Sequence, residues 1–93
     1  NMKLAFESTF KLQKVNGYVY GMIRIPKFLS KHFEKKSGRF KIDIEGQKME
    51  ITTRIIRSGN VKYIRIYPPI LEAFGLAKKD GELAKVEVVR FYD

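Results

Sequence analysis

The stretch that decides the fold is residues 63–88, which read YIRIYPPILEAFGLAKKDGELAKVEV. Ile64 and Ile66 alternate with tyrosine and arginine, the period of two that is typical of a half-buried strand. Pro68 and Pro69 end that strand and suit the first turn of a helix, where no backbone N–H donor is needed. The apolar spacing that follows predicts one short helix, a glycine that ends it, a tight turn and another strand.

The rest of the chain repeats this order of elements. Residues 4–45 contain a strand, an Asn16-Gly17 hairpin turn, a second strand, a proline, a short apolar segment and a third strand. Residues 48–91 follow the same order, and Ile23-Arg24-Ile25 aligns with Ile64-Arg65-Ile66. Neither half could bury its apolar faces alone, whereas two halves could close a barrel that leaves few strand edges. The sequence therefore predicts an internal duplication.

The helix of the first half is predicted from fewer residues than that of the second. Phe28, Leu29 and Phe33 are spaced as the apolar face of an amphipathic helix, with lysines on its other side. Ser37-Gly38 is interpreted as the end of this helix. The complete pattern predicts a mainly β fold with two short helices, a six-stranded double-psi-like β-barrel built from two ββαβ repeats. It forms a single domain, residues 2–93.

The composition is that of a folded and strongly basic domain. The chain has 93 residues, no cysteine and a formal net charge of +9. The lack of cysteine excludes disulfides and thiolate metal sites and favours a cytoplasmic location. No apolar run approaches the roughly 18 residues that span a membrane, so we expect no membrane partner. The charge favours nucleic acid as a partner, although solubility or a thermophilic composition would also account for it.

The motif within residues 63–88 resembles the swapped-hairpin motif of the AbrB/SpoVT family. The shared features are an isoleucine-rich strand, a proline, a short helix that ends before Gly75-Leu76, an acidic glycine turn and a valine-rich strand. Here the turn is Asp80-Gly81, in the reverse of the usual order, and in the first half Gly38 is followed by Arg39 instead of an acid. The tandem form is similar to a double-psi β-barrel, the single-chain counterpart of a swapped-hairpin dimer. This superfold hosts transcription regulators, antitoxins, enzymes and substrate-recognition domains of ATPases.

The sequence indicates neither catalytic nor metal-binding residues. The Asp-Thr/Ser-Gly pair that the protease relatives of the barrel use does not occur. The three aspartates, Asp43, Asp80 and Asp93, are scattered, and His32 is the only histidine. A metal site needs several convergent ligands. We therefore predict that the protein is not an enzyme and binds no metal or cofactor.

The candidate binding residues lie on the two central strands, on the fourth strand and near the loop that follows it, and on the first helix. Arginines alternate with tyrosines there, and arginine can bind phosphates through two hydrogen bonds while aromatic rings stack on bases. The favoured function is a small DNA-binding module of the transcription-regulator type, as a monomer or homodimer, with DNA favoured over RNA. The predicted nucleic-acid-binding residues are Arg24, Lys27, Lys31, Arg54, Arg57, Lys62 and Arg65.

A protein-recognition module is the alternative. Tyrosines on strands also pack in interfaces or under helices, and lysines on a helix often form only a solvated face. An exposed tyrosine patch with its arginines buried in ion pairs would favour an adaptor, an antitoxin-like partner or an ATPase substrate-recognition domain. A sizeable apolar pocket would instead favour a small-ligand-binding barrel.

Overall fold

Alternating apolar and polar side chains produce six strands in the computed structural model, which describes residues 3–93. The strands close a barrel in the order β1-β2-β5-β4-β3-β6, and every neighbouring pair is antiparallel. The predicted mainly β fold with a six-stranded barrel is therefore confirmed. Met2, the first residue of the predicted domain, lies outside the described residues. The strands are β1 (Ala5–Val15), β2 (Tyr18–Arg24), β3 (Ser37–Ile44), β4 (Gln47–Ser58), β5 (Val61–Ile66) and β6 (Leu83–Tyr92).

Short helical segments connect the strands where the two helices are predicted. A 3-10 helix spans Lys27–His32, α1 spans Pro68–Ala73, and a second 3-10 helix spans Leu76–Lys78. α1 begins at its first proline, as the sequence predicts. Gly75 follows α1 with a φ of 61°, a left-handed conformation that glycine adopts without a steric penalty. No helix within residues 3–93 has the length and apolar character that crossing a membrane requires.

The inward-facing residues of the strands fill the barrel. Phe10, Ile23 and Phe40 have no exposed area. Gly21 also faces inward, and a Cβ at this position would lie 2.6 Å from Cε1 of Phe10 and 3.1 Å from Cδ2 of Leu71. The glycine thus leaves room for Leu71 of α1 to pack against the core. Side chains occupy the interior, where a small-ligand-binding barrel would hold its ligand.

The strand order is unchanged when β1, β2 and β3 are exchanged with β4, β5 and β6. Ile23 of β2 pairs with Ile64 of β5, and Ile42 of β3 pairs with Val86 of β6. The first pair joins residues that the sequence aligns between the two halves, and Ile42 and Val86 occupy corresponding places in the last strand of each half, which is what a twofold axis through the barrel requires. The pairing is compatible with the proposed repeats, while the duplication and the double-psi connection stay predictions.

The first 3-10 helix differs from its prediction at Phe28. This side chain was expected on a buried helix face, but it is 76% exposed. Phe33 is fully buried, and its ring meets those of Phe6 and Phe91 edge to face at 5.9 and 5.2 Å. Phe33 follows the 3-10 helix, whose three residues per turn place Leu29 and His32 on the half-buried side and Phe28 and Lys31 on an exposed one.

Ser37-Gly38 was also interpreted wrongly, since it does not end a helix. Both residues belong to β3, and Gly38 is buried. A Cβ at Gly38 would lie 2.7 Å from Cζ of Phe40 and 3.0 Å from the carbonyl oxygen of Arg90. The glycine is therefore explained by close packing inside the sheet and not by a helix stop.

Candidate nucleic-acid interface

Opposite charges alternate on the side of the barrel formed by β1, β6, β3 and β4. In the strand register, Lys85 of β6 lies between Glu7 of β1 and Asp43 of β3, and Lys41 of β3 lies beside Glu50 of β4. Such cross-strand pairs of opposite sign stabilise a sheet and cancel much of its field. We call this side the balanced face, with charged outward residues Glu7, Arg39, Lys41, Asp43, Lys48, Glu50, Lys85, Glu87 and Arg90, so that five bases face four acids.

The side formed by β1, β2, β5 and β4 is different. Lys11, Met22 and Arg65 form one row across it, and a second row contains Arg24 and Tyr63. None of the outward residues in these rows is acidic, and the nearby carboxylates lie at the edges, where Asp80 accepts a hydrogen bond from the backbone N–H of Leu12 and Glu34 contacts Lys62, so positive charge predominates here. We call this side the basic face. Its basic residues are Lys11, Arg24 and Arg65, and Arg54 adjoins them on β4. The other residues of outward parity are Gln13, Val15, Tyr18, Tyr20, Met22, Ile56, Ser58 and Tyr63, of which Met22 is buried.

Two tyrosines hold the side chain of Arg65 in the basic face. Its guanidinium carbon lies 4.6 Å from the ring centroid of Tyr20 and 5.9 Å from that of Tyr67. The two rings meet edge to face at 5.6 Å. Cation–π contacts of this kind orient a guanidinium without using its N–H donors. The buried Nε of Arg65 has no hydrogen-bond acceptor among the described residues. Arg65 is therefore an oriented cation, and it forms no salt bridge within residues 3–93.

The predicted residues at the edge of the basic face surround a cleft. Arg24 ends β2 beside this cleft of about 170 Å³, which is also lined by Lys27 and Ser30 of the first 3-10 helix and by Lys62 of β5. Arg24 and Lys27 are exposed, as are Lys31 and Arg54. The salt bridges of residues 3–93 include none of these four side chains. Their charges are therefore available to a bound anion.

Arg57 and Lys62 are used within the fold. Nη2 of Arg57 donates to the carbonyl oxygens of Phe33 and Lys35 at 2.9 and 3.1 Å. Nζ of Lys62 donates to the carbonyl oxygen of Ser30 at 2.8 Å, and this side chain is 14% exposed. The two residues are neighbours across β4 and β5. These contacts favour a structural role, in which both cations hold the 3-10 helix and the loop after it against the barrel.

Replacing Arg57 by Met is expected to loosen this attachment. The change removes two hydrogen bonds from a charged donor, so the free energy of unfolding should fall by about 1–2 kcal/mol. Urea unfolding measures the loss, and hydrogen exchange should quicken at the amide of Phe33, which donates to the carbonyl of Ser30. Lys48→Met on the balanced face is the control, with an expected change within about 0.5 kcal/mol. Equal stability of the two variants would contradict the structural role.

Sequence reasoning missed Lys11, which lies on the basic face. Its position could have been found from the hairpin. Asn16 and Gly17 form a two-residue loop with φ values of 51° and 84°, so Val15 pairs with Tyr18. Counting back along both strands from this pair places Lys11 beside Met22, which the register shows.

Shifted pKa values occur at three side chains outside the basic face. The hydrogen bond to Glu50 and the charge of that carboxylate raise the pKa of Arg39. A hydrogen bond from Lys79 lowers the pKa of Glu45, while the hydrogen bond between the two carboxyl groups raises the pKa of Glu82. Arg39 and Glu45 belong to solvated ion pairs, whereas Glu82 lies beside another carboxyl group. Residues 3–93 contain no group of three or more His, Asp and Glu side chains arranged to hold a metal ion.

A groove of about 780 Å³ crosses the balanced face. It is lined by charged side chains of alternating sign, among them Lys41, Glu50 and Lys85, and by the apolar residues Phe6, Ile42, Met49 and Val86. Because these charges neutralise one another, the groove attracts neither a polyanion nor a polycation. The basic face is the better candidate for a functional site.

Comparison of the chain with protein-family models, with curated proteins and with solved structures found no match. The resemblance to the AbrB/SpoVT family therefore stays a prediction. The function is argued below from the charge and geometry of the two faces.

Proposed function

We propose that the protein is a small DNA-binding module that holds the phosphate backbone of DNA on its basic face. The observation that supports this most directly is the difference between the two faces, since acids alternate with the bases on the strands of the balanced face, whereas none is among the outward strand residues of the basic face. Phosphate contacts from arginine and lysine supply most of the affinity of such modules. The contacting residues are proposed to be Arg24, Lys27, Lys31, Arg54 and Arg65, with Arg57 and Lys62 supporting them.

The geometry suits a rigid phosphate-binding surface. Arg24 and Arg65 project from paired strands, and strands vary less in position than loops. Because the guanidinium of Arg65 is already oriented by Tyr20 and Tyr67, binding an anion costs it little side-chain entropy. A role in transcription regulation is what the AbrB/SpoVT resemblance implies, and the proposal includes it on that ground.

A protein-recognition module is the second candidate. Tyr18 and Val19, next to the turn between β1 and β2, are 65% and 41% exposed, and such a pair suits a protein contact. The arginine arrangement favours DNA, however. Arg24, Arg54 and Arg65 are free of salt bridges within residues 3–93, whereas a protein interface of the predicted kind would bury them in ion pairs.

The salt dependence of binding tests the proposal through the variant Arg24→Gln/Arg65→Gln. For the wild type, the logarithm of the association constant should fall linearly with the logarithm of salt concentration, with a slope of about −0.9 per phosphate contact. The double variant should bind more weakly, and its slope should be shallower by about 2. Fluorescence anisotropy with labelled mixed-sequence DNA, single-stranded and duplex, measures both quantities. If the slope of the double variant equals that of the wild type, Arg24 and Arg65 do not contact phosphates.

A further inference from the structure

Phe28 is the most exposed large hydrophobic side chain among the described residues, at 76%. An exposed phenylalanine contributes little to stability, because its ring leaves most of its area in water. It lies on the first 3-10 helix, between Lys27, which lines the cleft beside Arg24, and Lys31. Its position next to the proposed phosphate contacts calls for a functional explanation.

The periodicity of the 3-10 helix gives each of its sides a different character. Residues three apart share a side. Lys27 and Ser30 line the cleft, and Leu29 and His32 are both half-buried. Phe28 and Lys31 share the third side, where both are exposed. The helix therefore presents one aromatic ring and one ammonium group together to solvent.

Hydrogen bonds from side chains of the barrel strands hold this 3-10 helix in place. Lys62 donates to the carbonyl oxygen of Ser30 at 2.8 Å, and Arg57 donates to that of Phe33 at 2.9 Å. The buried ring of Phe33 anchors the end of the helix in the core. A contact made by Phe28 consequently requires no reorganisation of the backbone, which lowers the entropy cost of binding.

We propose that Phe28 stacks on an unpaired base of a single-stranded nucleic acid, while Lys31 and the cleft formed by Arg24 and Lys27 bind the adjacent phosphates. This inference rests on the proposed function and specifies its partner. Alternation of a basic surface with an exposed aromatic ring is how single strands are bound without sequence readout. In a duplex the bases are stacked on one another, so the ring of Phe28 could reach one only by opening the helix.

The surroundings of Phe28 favour a base over an apolar partner. No other large apolar side chain of the 3-10 helix is exposed, since Leu29 is half-buried. One ring offers too little area for a protein interface core or for stable insertion into a bilayer. It is sufficient for one base, and residues 24–31 contain three basic residues and no acid, while the nearby carboxylate of Glu34 is paired with Lys62.

Substitutions at Phe28 separate stacking from simple hydrophobic contact. Phe28→Ala is expected to weaken binding of a single-stranded oligonucleotide by about 5- to 100-fold, and duplex binding by less than about threefold. Phe28→Tyr should retain single-strand binding, whereas Phe28→Leu, which is apolar without a π face, should behave like alanine. Val89→Ala, at an exposed residue of β6, is the control and should change nothing. Equal binding by wild type and Phe28→Ala would overturn the inference.

Phe28→Trp adds a direct readout, because the natural chain contains no tryptophan. Titration with a single-stranded oligonucleotide should quench the fluorescence of this indole through stacking, and Val89→Trp should show no quenching. If the oligonucleotide binds without quenching the indole fluorescence, the stacking inference is wrong and the proposed DNA-binding function is unaffected. Failure of the wild type to bind any oligonucleotide would contradict both the stacking inference and the proposed DNA-binding function. A blue shift with phosphatidylserine vesicles, without quenching by the oligonucleotide, would overturn the inference in favour of a membrane contact.

Discussion

The variant in which Arg24, Lys27, Lys31 and Arg54 are all replaced by Gln is expected to lose affinity for DNA by on the order of 10³- to 10⁴-fold at about 0.1 M salt. Each lost phosphate contact forfeits the release of about one counterion, which is worth roughly a factor of ten at that salt concentration. All four side chains are exposed, and the described residues offer them no salt bridge that the change would break. The fold should therefore be unaffected.

The balanced face provides a control with the same loss of net charge. Glutamine at four of its bases, Arg39, Lys41, Lys48 and Lys85, removes equal charge from the opposite side of the barrel. Affinity for DNA should fall by no more than about fivefold, since charges separated by more than about 10 Å are screened at this salt concentration. Anisotropy titrations of both variants under identical conditions make the comparison. Equal losses would show that only the net charge matters and would contradict the placement of the site on the basic face.

Phe33→Ala is expected to cost about 3–5 kcal/mol of the free energy of unfolding, the usual loss when a buried phenylalanine is truncated. Phe33 has no exposed area, and its ring contacts those of Phe6 and Phe91. It attaches the 3-10 helix to the barrel, so its loss removes core contacts and the support of Phe28 together. Native domains of this kind are stable by only about 5–15 kcal/mol, so this variant should be close to unfolding.

Phe28→Ala is the matched control for stability, because it makes the same substitution on the same helix at an exposed ring. Urea unfolding should place its free energy of unfolding within about 0.5 kcal/mol of the wild type. The two variants are thus expected to separate two functions of the segment. Phe33→Ala should lower stability, and Phe28→Ala should lower single-strand binding only. Similar unfolding midpoints for both would contradict the burial that the fold assigns to Phe33.

Most of the barrel could be predicted from the sequence because its signals are local. The Asn16-Gly17 turn fixes one hairpin, and strict alternation assigns the inward side chains of the strands. The segment around Phe28 could not be predicted in the same way. Six residues are compatible with an α-helix or a 3-10 helix, and the choice depends on tertiary contacts such as the bond from Lys62 to the carbonyl of Ser30.

The candidate site was predictable only in part. Arg24 and Arg65 were placed correctly on outward-facing strand positions, because the period of two is visible in the sequence. Arg57 and Lys62 have the inward parity of Ile55 and Ile64, and at the barrel end that parity directs them to backbone carbonyls. Every residue has a backbone carbonyl, so the sequence does not indicate which carbonyl a side chain will bind. The separation of the two faces also depends on strand register, which pairs residues far apart in the chain.

Binding of the wild-type protein to labelled mixed-sequence DNA over a series of salt concentrations tests the central claim most directly. Single-stranded and duplex forms of the same sequence should both bind at low salt, with a linear and steep loss of affinity as salt rises, corresponding to several phosphate contacts. The single strand should be bound more tightly. No binding of either form at low salt, or an affinity that does not change with salt, would contradict the claim that the basic face holds a phosphate backbone.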